Sequence, residues 1–261
     1  MAEKLTLKLK SASEFTNFLK RFSSIESTLL MEIEDGQLKA KTHTPERSVV
    51  KSSKIEMSNI FEMEAGDTIP TILFGVFSVD KLTDAFKHFT DTDVSFEIAY
   101  ESTTDGNVGT EITLSSQSLK INFQCASLRL FTHITDEMMD RISNTNEAAI
   151  NFVLTKEHQK RISSITTLDS DHKLLTLNVL GGNVKVTGRS YDLSLMAFEN
   201  PFAEDLSISI YKNQFGFLDR EDTMAYLSGD RIVFSSIETE TRTIIGKAII
   251  VTGKQIIRDK S

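Results

Sequence analysis

The chain has 261 residues, of which 39% are hydrophobic and 17 are Phe, so it can bury one large core or two smaller ones. Its formal net charge of −8 argues against a protein whose whole surface coats nucleic acid, but it leaves room for a local basic face. No run of about 18 apolar residues is present to span a membrane, and charges stand where a signal peptide needs its apolar segment. We therefore expect a folded intracellular protein that is neither secreted nor bound to a membrane.

The first 55 residues predict the order strand, helix, strand, strand, strand. Leu residues alternate with polar ones over 5–9, and Ser11–Glu14 matches a capping box that opens a helix extending to Phe22. Alternating strands flank Asp35-Gly36, a dipeptide that suits the positive φ angles of a tight hairpin. The β-rich run 48–55 completes this first β-α-β-β-β unit.

The stretch from Thr71 to Tyr100 begins a second unit of the same kind. Residues 71–77 are rich in β-formers, and Ser78 is placed to cap a helix with an apolar stripe. Two further strands follow around the Asp105-Gly106 turn. The helix also carries a basic outer face, formed by Lys81, Lys87 and His88.

The same order returns twice after residue 148. The third unit has a helix capped by Thr155 and a turn at Gly181-Gly182. The fourth has a predicted helix over 213–220 and a turn at Gly229-Asp230. Four β-α-β-β-β units form a repeat of organisation rather than of sequence identity. This repeat predicts an α+β fold with two similar domains, 1–127 and 148–261.

Residues 128–147 lack this regularity and mix apolar residues with Asp, Thr, Asn and Ser. We interpret the segment as an interdomain connector that either lies along the body of the protein or offers a docking surface. A strand followed by a short packed helix is an equally open alternative.

Charge separates by structural element. The windows 11–22, 78–90, 155–167 and 212–220 around the four predicted helices hold nine Lys or Arg residues and five Asp or Glu, whereas the rest of the chain holds 20 basic and 32 acidic residues. Surface helices often carry Lys and Arg for solubility alone, but the same tendency over all four favours an anionic ligand. Because the charges are spread out and no phosphate-binding Gly-rich loop is present, we expect sequence-independent contact with a duplex phosphate backbone.

A catalytic or metal centre is not indicated. Cys125 is the only cysteine, and its alternating neighbours favour a buried hydrophobic role over a nucleophile. The five histidines are scattered, without metal-ligand spacing on a helix, and the Asp169–His172 cluster is more typical of a turn-rich loop. We therefore predict that the protein is not an enzyme and uses no metal or cofactor.

Two domains of paired units, with basic helices and an acidic remainder, resemble the DNA sliding clamps, the processivity factors of replicative polymerases. The local likeness is greatest over Leu5–Phe22, Met31–Leu38 and Leu73–Phe89. The chain length is similar to that of the two-domain clamps of phages, archaea and eukaryotes (proliferating cell nuclear antigen), which close as homotrimers. The resemblance implies antiparallel sheets outside, four helices on the inner face, and a ring that encircles duplex DNA and tethers a DNA polymerase.

The resemblance also implies site residues. Facing the DNA in the central channel would be Lys20, Arg21, Lys81, Lys87, Lys156, Lys160, Arg161 and Arg220. Subunits would join through two strands, with Leu119, Ile121 and Phe123 on one and Tyr191, Leu193 and Leu195 on the other. Apolar peptides of the polymerase or clamp loader would dock near His43, Val50, Leu128, Leu130, Phe131, Ile134 and Ile250.

The sequence departs from the eukaryotic clamps in two places. Its connector does not match theirs visibly, and residues 252–261 are basic where the eukaryotic clamp ends in acidic residues. Two other interpretations remain: a monomeric clamp-like processivity factor that holds DNA by charge alone, and a β-rich structural or assembly protein such as a virion component.

Overall fold

The structure, a computed structural model, describes residues 3–64, 68–89, 93–132, 134–146, 148–169, 171–197, 205–228 and 230–246. The chain forms two compact units: the first unit is Met1–Thr42 with Ser52–Ile134, and the second unit is His43–Lys51 with Thr135–Ser261. The predicted domain limits fall at 127 and 148, so the predicted connector is divided between the two units.

The strands of the first half are β1 (Glu3–Lys8), β2 (Leu29–Glu34), β3 (Gln37–His43), β4 (Val49–Glu56), β5 (Ile72–Val76), β6 (Ser95–Thr103), β7 (Gly106–Ser115) and β8 (Lys120–Gln124). Its helices are α1 (Ala12–Ser23), α2 (Met57–Ile60) and α3 (Val79–Ala85), with 3-10 turns at Phe86–His88 and Leu128–Leu130.

The remaining helices are α4 (Asp136–Ile142), α5 (Lys156–Ile165) and α6 (Lys212–Phe215), with a 3-10 turn at Thr166–Asp169. The remaining strands are β9 (Ile150–Leu154), β10 (Leu174–Leu180), β11 (Asn183–Thr187), β12 (Asp192–Ala197), β13 (Leu206–Tyr211), β14 (Thr223–Leu227), β15 (Arg231–Ser236) and β16 (Glu240–Gly246).

These elements confirm the predicted fourfold repeat. The sets are β1-α1-β2-β3-β4, β5-α3-β6-β7-β8, β9-α5-β10-β11-β12 and β13-α6-β14-β15-β16. The short helices α2 and α4 are additions between sets. The predicted connector holds α4, whose Met139 and Ile142 are buried, so the short packed helix of the alternative interpretation is present.

In the first unit the strands follow the order β1-β6-β7-β5-β2-β3-β4, and β8 also pairs with β7. The β6–β7 hairpin is antiparallel with a bulge after Ala99, while β5 and β7 pair in parallel through two residue pairs. In the second unit, β16-β15-β14-β9 form one set of paired strands and β12-β11-β10-β13 form a separate sheet.

The core of the first unit lies between this sheet and the helices α1 and α3. Phe15, Phe18, Leu19 and Phe22 supply the buried face of α1, as the helical spacing predicts. The Phe15 ring lies 5.3–5.9 Å from three other aromatic rings in edge-on and tilted contacts, and one of these rings, Phe96, belongs to β6 of the sheet.

The structure confirms the predicted N-caps but not the predicted capping box. Ser11 Oγ accepts the Glu14 N–H at 3.2 Å, and Ser78 Oγ accepts the Lys81 N–H at 3.3 Å, so both predicted caps are confirmed. The predicted reciprocal bond of the capping box, from the Ser11 N–H to the Glu14 side chain, is wrong, because the Ser11 N–H donates to the Ile60 carbonyl at 3.0 Å. A complete capping box occurs at Thr155 instead, with His158 as the reciprocal partner.

Three of the four predicted turns lie in the described residues. Asp35 and Gly36 adopt φ angles of 51° and 74°, and Gly181 and Gly182 adopt 54° and 84°, as their hairpins require. Gly106 has a φ of 116°. The fourth predicted turn includes Gly229, which lies outside the described residues.

The predicted helix over 213–220 is wrong in length, because α6 is a single turn that ends at Phe215. Gly216, a poor helix former, follows as the C-cap. Beyond it Leu218 is buried, and the Phe217 carbonyl and the Asp219 carboxylate both bind the Lys51 ammonium. These contacts require an irregular backbone, so Arg220 lies outside any helix. None of the helices in the described ranges is long and apolar enough to cross a membrane.

Candidate nucleic-acid and subunit interfaces

The first unit brings part of its predicted DNA-contacting set together. Lys20 on α1 and Lys81 on α3 are exposed, as is Lys87 in the 3-10 turn that extends α3. Lys87 Nζ lies 2.6 Å from Asp84 Oδ1, and this hydrogen bond, together with the charges of Lys87, His88 and Lys20, lowers the pKa of the Asp84 carboxyl. Several cations therefore surround one carboxylate on this surface.

Arg21 differs from its neighbour Lys20. Its side chain is half-buried, and Nη1 lies 3.5 Å from Ser53 Oγ on β4. Because the guanidinium is held against the sheet, Arg21 has less freedom to follow a phosphate backbone than the exposed lysines.

In the second unit, Lys156, Lys160 and Arg161 are exposed on α5. Lys156 and Lys160 are four residues apart and so share one helix face, whereas Ile162 is fully buried. Arg220 is also exposed, although it is not helical. Lys212, which the helix charge count includes, turns away from such a surface because its Nζ donates to the Thr166 and Asp169 carbonyls.

The two strands predicted to join subunits are sheet edges. Among the described strands, β8 pairs with β7 alone and β12 pairs with β11 alone. On β8 and just before it, Leu119, Ile121 and Phe123 are half-buried.

On the β12 side, Tyr191, Leu193 and Leu195 are only 9%, 7% and 8% exposed. Their side chains belong to the core of the second unit. A second chain would therefore meet the backbone of β12 and its exposed polar residues, Asp192 and Ser194.

The predicted partner pocket corresponds in part to a shallow groove in the first unit. Leu30, Met31, Ala40 and Leu73 line it, and Ile134 lies against them. Ile134 is only 2% exposed, and its carbonyl accepts a hydrogen bond from Lys41 Nζ at 3.0 Å. The groove is thus largely filled by its own chain.

The other predicted pocket residues are dispersed. In the first unit, Leu128 is half-buried, Leu130 is 64% exposed, and Phe131 packs on Gly75, where an added Cβ would lie 2.5 Å from its ring. In the second unit, His43 is half-buried and Val50 is fully buried. Ile250, like the tail 252–261, lies outside the described residues.

The residues considered for chemistry have structural partners. Burial, with a smaller contribution from the charge of Glu111, raises the pKa of the Cys125 thiol to about 12. Asp169 Oδ2 accepts the Ser190 N–H at 2.8 Å, and hydrogen bonding from Ser190 holds the pKa of Asp169 below its usual value. In the described part of the chain, no group of three or more His, Cys, Asp or Glu residues could hold a metal ion.

Two exposed apolar residues were not distinguished by the sequence patterns. Phe77 is 52% exposed and Leu168 is 70% exposed. Phe77 directly precedes the Ser78 N-cap, a position at which an apolar residue commonly packs against the following helix. This pattern could have predicted that Phe77 belongs to the helix start and not to the buried strand. No comparable signal marks Leu168.

The paired repeats and their sheet pairing give the chain the fold of the DNA sliding clamps. Proliferating cellular nuclear antigen from Entamoeba histolytica superimposes with a TM-score of 0.63 at 13% identity, covering 94% of this chain and 99% of that chain. A. fulgidus PCNA, solved with the C-terminal region of FEN-1, gives 0.61 at 12% identity, covering 97% and 100%.

The likeness extends to the bacterial clamps. The DNA polymerase III subunit beta of Pseudomonas aeruginosa gives a TM-score of 0.63 at 13% identity, covering 97% of this chain and 66% of that longer chain. No protein-family model and no curated protein sequence matches the chain.

Proposed function

We propose that the chain is a sliding clamp, three copies of which close into a ring around duplex DNA and tether a replicative DNA polymerase. The observation that carries this proposal is the clamp fold over nearly the whole chain, in which β8 of the first unit and β12 of the second each lie at a sheet edge. Two units per copy give six per trimer, which is the number that the resemblance implies.

Ring closure would use those two edges. An exposed strand edge presents unpaired N–H and C=O groups and is a template for pairing with another chain. In the proposed ring, β8 of one copy pairs with β12 of the next, which satisfies both edges through backbone hydrogen bonds. Leu119, Ile121 and Phe123 would lie at this junction, while Tyr191, Leu193 and Leu195 support β12 from within.

DNA contact would use the exposed cations on the helix surfaces: Lys20, Lys81, Lys87, Lys156, Lys160, Arg161 and, beyond α6, Arg220. Contacts with phosphates carry no base information, so they permit movement along the duplex. Each phosphate that is neutralised contributes a slope of roughly −0.9 to log affinity against log salt. The ring supplies retention by encirclement, and the weak contacts then centre the DNA without holding it in one register.

Partner binding is proposed for the surface around the segment 128–134. The A. fulgidus clamp was solved with a C-terminal region of FEN-1, which supports docking of short partner segments on this fold. A polymerase or clamp-loader peptide would displace Ile134 or use the exposed Leu130, with Leu128 and Phe131 of the same unit as further proposed contacts. The protein would act inside the cell, without catalytic activity, in a phage, virus or cellular host.

Light scattering at micromolar concentration tests the ring. The expected mass is three times that of the 29.3 kDa chain, whereas a monomer at every concentration would contradict the trimer and favour a monomeric DNA-binding factor.

Charge reversal tests the DNA surface. Replacing Lys20, Lys87, Lys156 and Lys160 with Glu should abolish polymerase processivity while leaving the fold and the oligomer intact. A matched control reverses four exposed lysines outside the helices: Lys4, Lys10, Lys54 and Lys173. Equal loss in both variants would show that net charge, and not the helix surface, controls the activity.

A further inference from the structure

We propose, on the basis of the ring described above, that Leu168 of one copy inserts into a cavity beside α3 and β8 of the next copy. The inference names the apolar contact that would fix the interface between copies, in addition to backbone pairing. It rests on a cavity in the first unit and an exposed side chain in the second, each adjoining one of the two strand edges.

The cavity has a volume of about 340 Å³ and is bordered on one side by Phe77, Lys81 and Leu82. Its opposite border is β8, through Asn122, Phe123 and Gln124. The cavity therefore adjoins the edge at which a second copy would pair. Phe77 leaves about half of its surface exposed at this position, so an apolar side chain of a second copy can cover it.

Leu168 is a fixed protrusion rather than part of a loose loop. It lies in the 3-10 turn Thr166–Asp169, whose two end carbonyls both accept hydrogen bonds from Lys212 Nζ. Asp169 Oδ2 in turn accepts the Ser190 N–H at 2.8 Å, two residues before β12 begins. The apolar side chain, 70% exposed, is thus held beside the start of the second edge.

Strand polarity brings these two features together. In an antiparallel pair, the start of β12 lies opposite the end of β8, and Asn122–Gln124 at the end of β8 are the residues that border the cavity. Parallel pairing would place Leu168 at the other end of β8, away from the cavity. The cavity is bordered by α3, and Leu168 lies in the turn directly after α5. The cavity and the Leu168 side chain are therefore each on the helix-bearing side of their own repeat.

The charges at the two positions are complementary. Lys81 borders the cavity and is exposed, while Asp171, also exposed, follows Leu168 by three residues. An apolar contact with an opposite charge on each rim is the usual arrangement of a specific interface. Strand polarity and charge therefore both favour a second copy of this chain as the occupant of the cavity.

Two variants separate the halves of the contact. Leu168→Glu alters only the protrusion and Phe77→Glu only the cavity, so each should lose the oligomer while circular dichroism shows a retained fold. The milder Leu168→Ala should weaken self-association about 10-fold or more, as expected from removing a buried Leu side chain. Leu180→Glu is the matched control, because Leu180 is 48% exposed in the same unit but lies on the interior strand β10.

Mixing the two Glu variants gives the decisive measurement. The intact cavity of the Leu168→Glu variant should accept the intact Leu168 of the Phe77→Glu variant. The two surfaces left free in that pair, the altered protrusion of the first variant and the altered cavity of the second, should bind no further copy. The mixture should therefore form a dimer of twice the 29.3 kDa chain mass and nothing larger.

Unchanged assembly of Leu168→Glu, or a mixture that stays monomeric, would overturn the inference and leave the ring proposal standing. A wild-type chain that never assembles would instead overturn the ring, and with it this contact.

Discussion

Replacing Lys51 with Met should destabilise the second unit, because the lysine is buried and binds a partly buried carboxylate. The Lys51 side chain is 1% exposed, and its Nζ lies 2.6 Å from Asp219 Oδ1 and 2.9 Å from the Phe217 carbonyl oxygen. Met fills a similar volume but supplies no donor. The change therefore leaves both oxygens without this cation, and Asp219 Oδ2 already lacks a hydrogen-bond partner.

The expected loss is about 3 kcal/mol of unfolding free energy. Removing one partner of a buried ion pair typically costs 3–5 kcal/mol, and the lower end applies because the Asp219 side chain keeps 19% of its surface exposed. At roughly 2–4 °C per kcal/mol for a chain of this size, the melting temperature should fall by about 6–12 °C.

Urea denaturation of the wild type, Lys51→Met, Asp219→Leu and the double variant measures the coupling directly. The double variant should recover most of the loss, because it leaves no unpaired charge. A single Lys51→Met change that costs less than about 1 kcal/mol would refute the reasoning.

Three further predictions concern separate sites. Gly75→Ala should lower the urea midpoint, since the new Cβ would meet the Phe131 ring at 2.5 Å and the Ala126 carbonyl at 2.7 Å; an unchanged midpoint would show that Phe131 does not pack there. Cys125 should react slowly with a thiol reagent at pH 8 until the protein is unfolded, because its thiol has a pKa of about 12; rapid reaction in the native state would contradict this burial. Because the folded protein lowers the pKa of Asp169, its ionised carboxylate stabilises the fold at pH values above the ordinary Asp pKa of 3.8. This stabilisation should disappear as the pH falls through the lowered pKa of the folded state. The stability difference between wild type and Asp169→Asn should therefore shrink on acidification, and a constant difference would exclude this titration.

Most of the fold follows from local patterns in the sequence. The alternation of apolar residues marks the strands, and the turns at Asp35-Gly36 and Gly181-Gly182 specify hairpins through their positive φ angles. Ser11 and Ser78 mark helix starts because a hydroxyl at the N-cap can accept one of the N–H groups that the first turn leaves free. These signals depend on neighbours within a few residues, so a single sequence contains them.

The errors arise where distant residues decide the outcome. The Ser11 N–H donates to the carbonyl of Ile60, which lies 49 positions away in the sequence, so a reciprocal capping box cannot form at this helix. The length of α6 depends on Gly216 and on Lys51, whose ammonium binds residues beyond the first turn. No residue near Lys51 in the sequence indicates that it is buried. The mixture of apolar and polar residues along its strand instead predicts one solvent-exposed face, where a lysine would normally lie.

The proposed functional surfaces show the same division. The basic residues of α3 and α5 follow from helical spacing, whereas the exposed Leu168 depends on hydrogen bonds from Lys212 and Ser190 that no local pattern specifies. Likewise, the sequence cannot show that Ile134 lies in the groove between β2 and β3.

Because the proposed interface joins two different strand edges, β8 and β12, the proposed ring would have a direction. Because β8 and β12 are distinct strands, copies joined through them are related by rotation about a single axis, with no twofold axis to exchange top and bottom. Every copy would turn the same loops toward the same side. A ring placed on DNA would then have two chemically different faces, and a protein that binds near Leu130 would always travel on one of them.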